Sequence, residues 1–112
     1  MPAAKKPFNL LLYQKSAISD LIIFGIYSVL ENKGECTFER LTKECFSLFS
    51  KAFSFSKYSQ WPDARKLDRP LRDLRKKKLI VGDPATSFSL TKTGKKLAEE
   101  IGKRFRQKEL FK

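Results

Sequence analysis

The sequence predicts an α+β fold that is mostly α: a three-helix core, one short β-hairpin and an extra C-terminal helix. Three observations predict it. Apolar residues recur at helical spacing in separate segments, as in Leu67, Leu71 and Leu74. Between two such segments the pattern changes to alternation around an Asp-Pro turn, with Phe88 and Leu90 set between Ser87 and Ser89. The chain has 112 residues, 41% hydrophobic and ten of them Phe, enough for one core and not for two. Residues 1–15 are read as an N-terminal arm and 16–112 as a single domain.

The first helix starts at Ser16 or Ser19 as N-cap and runs to Asn32, with Lys33-Gly34 as its stop. Ile18, Leu21, Ile22, Ile26, Val29 and Leu30 share a face, yet Ile23, Phe24 and Tyr27 make the other face apolar too. Such a helix must be covered on both sides. Phe8, Leu10, Leu11, Leu12 and Tyr13 of the arm, the last helix, or a second protomer can supply the cover, so arm packing and a homodimer through the first or last helix both stand.

Residues 35–37 are read as a short strand, followed by a second helix capped by Thr37 and marked by Phe38, Leu41, Cys45, Leu48 and Phe49. Residues 50–63, SKAFSFSKYSQWPD, come next. They carry Phe53, Phe55, Tyr58 and Trp61 with Lys51 and Lys57 between them. Aromatics interleaved with lysines can stack on unpaired bases. More often such rings close a small satellite core under a long loop.

The third helix buries Leu67, Leu71 and Leu74 and turns Arg65, Lys66, Arg69, Arg72, Arg75, Lys76 and Lys77 outward. Pro70 removes one helical hydrogen bond, a cost of about 3 kcal/mol, so the helix is expected to kink or restart there with Asp68 as a cap. Leu79, Ile80 and Val81 then form a strand, Asp83-Pro84 opens a turn, and Phe88 and Leu90 return. Thr91 caps a last helix through Leu97, Ile101 and Phe105 that extends towards Phe111.

The string Leu67-Asp68-Arg69-Pro70-Leu71-Arg72-Asp73-Leu74-Arg75-Lys76-Lys77-Lys78-Leu79-Ile80 resembles the third helix and following strand of the winged helix-turn-helix family, and Phe88-Ser89-Leu90-Thr91-Lys92-Thr93-Gly94 resembles its Leu-Thr-x-x-Gly junction into the last helix. Lys78 stands where that family usually has a helix-ending Gly, and Pro70 where it has Ala. About 14 residues are added before the third helix, a Phe-rich segment ending in Trp-Pro-Asp that is similar to one in prokaryotic winged-helix proteins. The resemblance implies a winged helix whose third helix enters a major groove while a short wing rests on the backbone. By that implication the protein is a prokaryotic or viral DNA-binding protein, a transcriptional regulator. Arg65, Lys66, Arg69 and Arg72 are candidates for the groove, with Arg69 matching the family's DNA-facing arginine; Ser59 and Gln60 are candidates for phosphate. Thr86, Ser87 and Lys92 would place the wing.

Charge agrees. Lys and Arg number 24 against 12 Asp and Glu, a net +12, and residues 63–79 and 92–112 each hold eight basic and three acidic residues. Neutralising phosphates releases counterions, so polyanion binding is the expectation from charge, and together with the resemblance it makes double-stranded DNA the expected partner; a merely solvated lysine-rich surface is the alternative. A protein-interaction module within a larger complex, using the apolar first helix and the aromatic insert as contact surfaces, is the competing function.

Catalysis is not expected. The chain has no His, which removes Ser-His-Asp and Cys-His arrangements and most zinc sites, and it has no glycine-rich phosphate loop. Cys36 and Cys45 are read as reduced residues, with a redox pair as the alternative, and no cofactor or metal is expected. The apolar run 21–30 is shorter than the roughly 20 residues of a membrane span. The N-terminus lacks a long apolar region and a cleavage site, so a cytoplasmic protein with mobile first residues is expected.

Overall fold

The computed structural model describes residues 8–110. The elements run α1 (Leu10–Tyr13), α2 (Ile18–Glu31), α3 (Phe38–Leu48), α4 (Ser50–Phe53), α5 (Arg65–Lys76), β1 (Ile80–Gly82), β2 (Phe88–Leu90) and α6 (Lys92–Leu110). The fold is α+β and mostly helical. The first, second, third and last helices of the sequence reading are α2, α3, α5 and α6. The first seven residues and Phe111 lie outside the described residues, and with them the expected mobile start and the last step of the final helix.

α2 sits at the centre, touching α3, α5, α6 and β2. Leu21, Ile22, Ile23, Ile26 and Val29 are fully enclosed. The rest of its cover comes from the arm. Phe8 donates its N–H to the Leu48 carbonyl at 2.9 Å and lays its ring on Phe49 at 5.4 Å, with Phe24 and Phe105 at 5.7 and 5.1 Å. Leu12 and Tyr13 are buried, and the Tyr13 hydroxyl accepts from the Lys51 N–H at 3.3 Å. Phe8, Leu12 and Tyr13 of the arm therefore pack into the core, whereas Leu10 and Leu11, expected as further cover, face solvent on the outer side of the short α1 turn; the apolar faces of α2 and α6 are occupied within one chain.

Thr37 caps α3 by accepting from the Arg40 N–H at 3.2 Å, as its position before Phe38 predicts. Neither Ser16 nor Ser19 caps α2. The residue there is Ala17, extended and without a side-chain cap bond, because the Ser16 N–H is still closing the α1 turn on the Tyr13 carbonyl. Asp20 in the first turn meets the positive end of the helix instead. Residues 35–37 form no strand. The Thr37 N–H turns back to the Glu35 carbonyl at 3.0 Å, leaving one bond to the hairpin, from the Phe88 N–H to the Cys36 carbonyl at 2.8 Å.

α5 does not restart at Asp68. It is continuous from Arg65 to Lys76 with Pro70 inside, and its start is held by Asp63, whose carboxylate accepts from the Arg65 N–H at 3.2 Å and whose carbonyl accepts from Lys66 at 3.2 Å. Three leucines buried on one face outweigh the single lost bond. The helix ends in a pair of reverse bonds, Leu79 N–H to Leu74 carbonyl and Lys78 N–H to Arg75 carbonyl, with Lys78 in the left-handed region at φ 59°. A side chain there costs about 1 kcal/mol, so Lys78→Gly should raise stability by about 0.5–1 kcal/mol in urea unfolding, net of the freedom glycine adds to the unfolded chain. A decrease would contradict the strained cap.

β1 and β2 pair antiparallel with Ile80 opposite Leu90 and Gly82 opposite Phe88. Asp83 closes the turn, its carboxylate accepting from the Ala85 N–H at 2.8 Å and its carbonyl from the Thr86 N–H at 3.1 Å. Thr91 caps α6 by accepting from the Gly94 N–H at 3.1 Å, while its hydroxyl donates to the Lys78 carbonyl at 2.8 Å. Among the described residues no helix is long and apolar enough to cross a membrane.

Candidate nucleic-acid interface

On a helix of 3.6 residues per turn, Arg65, Arg69, Arg72 and Lys76 fall in one stripe, diametrically opposite Leu67, Leu71 and Leu74. All four cations are exposed and all three leucines are buried. The stripe is about 16 Å long at 1.5 Å per residue. Arg69, Arg72 and Lys76 make no ion pair among the described residues. Lys76 was absent from the predicted site, although its spacing from Arg65, Arg69 and Arg72 was visible in the sequence.

The other predicted residues divide. Arg65 starts the stripe, but its Nε bonds the Asp63 carboxylate at 3.2 Å and its guanidinium lies 5.5 Å from the Phe55 ring centre. Its side chain remains 78% exposed, so it keeps donors for a ligand. The guanidinium bond holds the Asp63 carboxyl below the ordinary carboxylate range. Lys66 is turned aside: its ammonium donates to the Ser54 carbonyl at 2.7 Å and ties the insert to α5. A lone lysine in a basic run gives no sequence signal for such a bond.

Ser59 and Gln60 are exposed in the turn Tyr58 to Trp61, separated from the first turn of α5 by Pro62, Asp63 and Ala64. Thr86 is exposed at the hairpin tip, and Ser87 is half-buried beside Gly82, whose φ of 107° and close approach to the Ser87 carbonyl suit glycine alone. Lys92 is exposed at the start of α6. The structure joins α5 to the hairpin through a residue outside the predicted set, Arg75, whose Nη1 donates to the Gly82 carbonyl at 3.2 Å. Asp68, Leu71, Arg72, Arg75, Pro84 and Phe88 line an open groove between helix and hairpin.

The two thiols belong elsewhere. Cys36 and Cys45 are free and buried beside α2. Burial, and next to it the Glu44 carboxylate, pushes the Cys36 thiol up to about 12; burial raises Cys45 well above its usual value. Glu44 is itself buried, accepting from the Ser28 hydroxyl at 2.6 Å and facing Arg40 at 3.7 Å. Both thiols should resist a thiolate-directed reagent at pH 8 in the native protein and react once it is unfolded. A thiol raised in the folded state contributes stability that is full below its unfolded value near 9.0 and is lost as pH climbs towards about 12. Rapid native labelling would contradict the burial. No protein-family model, curated protein or solved structure matches the chain.

Proposed function

We propose that the chain is a winged-helix DNA-binding protein, a transcriptional regulator, that lays α5 in a major groove and sets the tip of the β1–β2 hairpin on the neighbouring backbone. The observation that carries this reading is the cationic stripe Arg65, Arg69, Arg72 and Lys76 on a helix whose opposite face is pinned in the core. A helix pinned on one face with an exposed basic stripe on the other is the arrangement that major-groove readers present. The order of helices and hairpin, and the Thr91–Gly94 junction against Leu79, support the resemblance of the sequence to that family.

Binding to a labelled random-sequence duplex, followed by fluorescence anisotropy at roughly 50 to 300 mM salt beside heparin, tests it. With the four stripe cations on phosphates, log affinity should fall against log salt with a slope of about −3.6, at about 0.9 per phosphate. Arg69→Ala should lower that slope by about 1 if Arg69 meets phosphate, or relax sequence preference if it reads a base. Unchanged binding in Arg69→Ala removes the residue from the interface, and the absence of any salt-dependent binding sinks the reading. An interaction module is less well supported, because one of the two surfaces on which it relied, the apolar α2, is covered by its own chain, and only the aromatic insert still presents exposed rings.

A further inference from the structure

The insert between α4 and α5 is closed and pinned. The Asp63 N–H donates to the Phe53 carbonyl at 2.7 Å, the Phe55 N–H to the Trp61 carbonyl at 3.1 Å, and Ser54 and Pro62 form an antiparallel bridge. The Trp61 N–H closes the outer turn on the Tyr58 carbonyl at 3.0 Å. From α5, Lys66 holds the Ser54 carbonyl and Arg65 lies over Phe55. Within this frame the rings separate sharply. Phe53 is 1% exposed and part of the core, whereas Tyr58 and Trp61 are 62% and 59% exposed. A loop tied at both ends cannot bury those two rings without breaking its own bonds, so their exposure is built into the fold.

The surroundings select the ligand. Residues 50–62 hold Lys51 and Lys57 and no acid, and the next acid along the chain, Asp63, is engaged by Arg65. Flat π surfaces among cations, directly preceding a basic helix, fit a ligand that offers both π faces and phosphates. Duplex DNA hides its base faces in the stack; unpaired bases present them. We infer that the Tyr58–Trp61 turn is a stacking platform for unpaired bases adjoining the duplex held on α5, so that the protein prefers a duplex bearing a single-stranded tail or fork. This rests on the DNA-binding reading and extends it to the form of DNA recognised.

Trp61 is the only tryptophan in the chain, so its emission reports directly on stacking. The experiment titrates the full chain with a blunt duplex, with the same duplex carrying a short oligothymidine tail, and with heparin, following both anisotropy and Trp61 fluorescence. The tailed duplex should bind about tenfold tighter than the blunt one for each base stacked and should quench Trp61. Trp61→Ala and Tyr58→Ala should erase the advantage of the tail while leaving blunt-duplex affinity unchanged, and Trp61→Phe should restore part of it. Both positions are exposed, so the variants keep the core intact, which circular dichroism verifies. Equal affinity for blunt and tailed DNA, or an advantage that survives Trp61→Ala, overturns the inference and leaves the duplex reading standing. Tail-dependent quenching without blunt binding would instead remove the duplex reading and keep the stacking platform. Unquenched Trp61 with every nucleic acid overturns the inference.

Discussion

Phe49→Ala should lower the free energy of unfolding by about 4 kcal/mol, the cost of emptying a fully enclosed phenylalanine site. Phe49 is the hub of the aromatic cluster. Its ring centre lies 5.4 Å from Phe8, 5.0 Å from Tyr13, 6.2 Å from Phe24, 6.5 Å from Phe53 and 5.9 Å from Phe105. Those rings come from the arm, α1, α2, α4 and α6, each fixed by its own backbone, so they cannot collapse together into the space. Domains of this kind are stable by about 5–15 kcal/mol, and the variant forfeits a large part of that. Urea unfolding should show a lower midpoint with an unchanged slope. Tyr58→Ala, an exposed aromatic, should stay within about 0.5 kcal/mol of the parent. A loss below about 1 kcal/mol at Phe49 would show that the cluster is not what closes the core.

Gly94→Ala should cost about 3 kcal/mol, and here the sign is itself informative. Gly94 lies in the first turn of α6, where helix propensity alone favours alanine by about 1 kcal/mol. An added Cβ, however, would stand 2.0 Å from the Leu79 carbonyl oxygen. That oxygen cannot retreat cheaply, because it accepts from the Thr91 N–H at 3.1 Å. The substitution therefore prises α6 from the start of the hairpin. Thr93→Ala, exposed and one position away, is the matched control. Stabilisation by Gly94→Ala in urea unfolding would mean that the carbonyl is free to move and that the Leu-Thr-x-x-Gly pattern has another cause.

What the sequence disclosed was what periodicity and local chemistry encode. The Leu67–Leu71–Leu74 face, the Thr37 and Thr91 caps and the Asp83-Pro84 turn each depend on residues within a few positions of one another. What it concealed depends on distant partners. Pro70 looked like a break because the packing of three leucines that overrides it is tertiary. Residues 35–37 looked like a strand because their turn on Thr37 has no compositional mark. Lys66 and Arg65 looked alike, yet the first is drawn to a carbonyl of the insert and the second keeps most of its surface in solvent. The insert was readable only as two alternatives, and the structure divides its rings between them, Phe53 inward and Tyr58 and Trp61 outward.

The packing of Phe8 against Phe49 and Phe105 also sets an order of events during synthesis. Phe8 and Phe105 are 97 positions apart in the chain (105 minus 8), and their rings meet at 5.1 Å. α2, apolar nearly all round, is translated long before α5 and α6 exist to shelter it. Contacts of such long sequence separation form late because the loop they close must first be ordered. On the ribosome the nascent chain therefore passes through a prolonged interval with its greasiest helix uncovered, and that interval ends when α6 emerges.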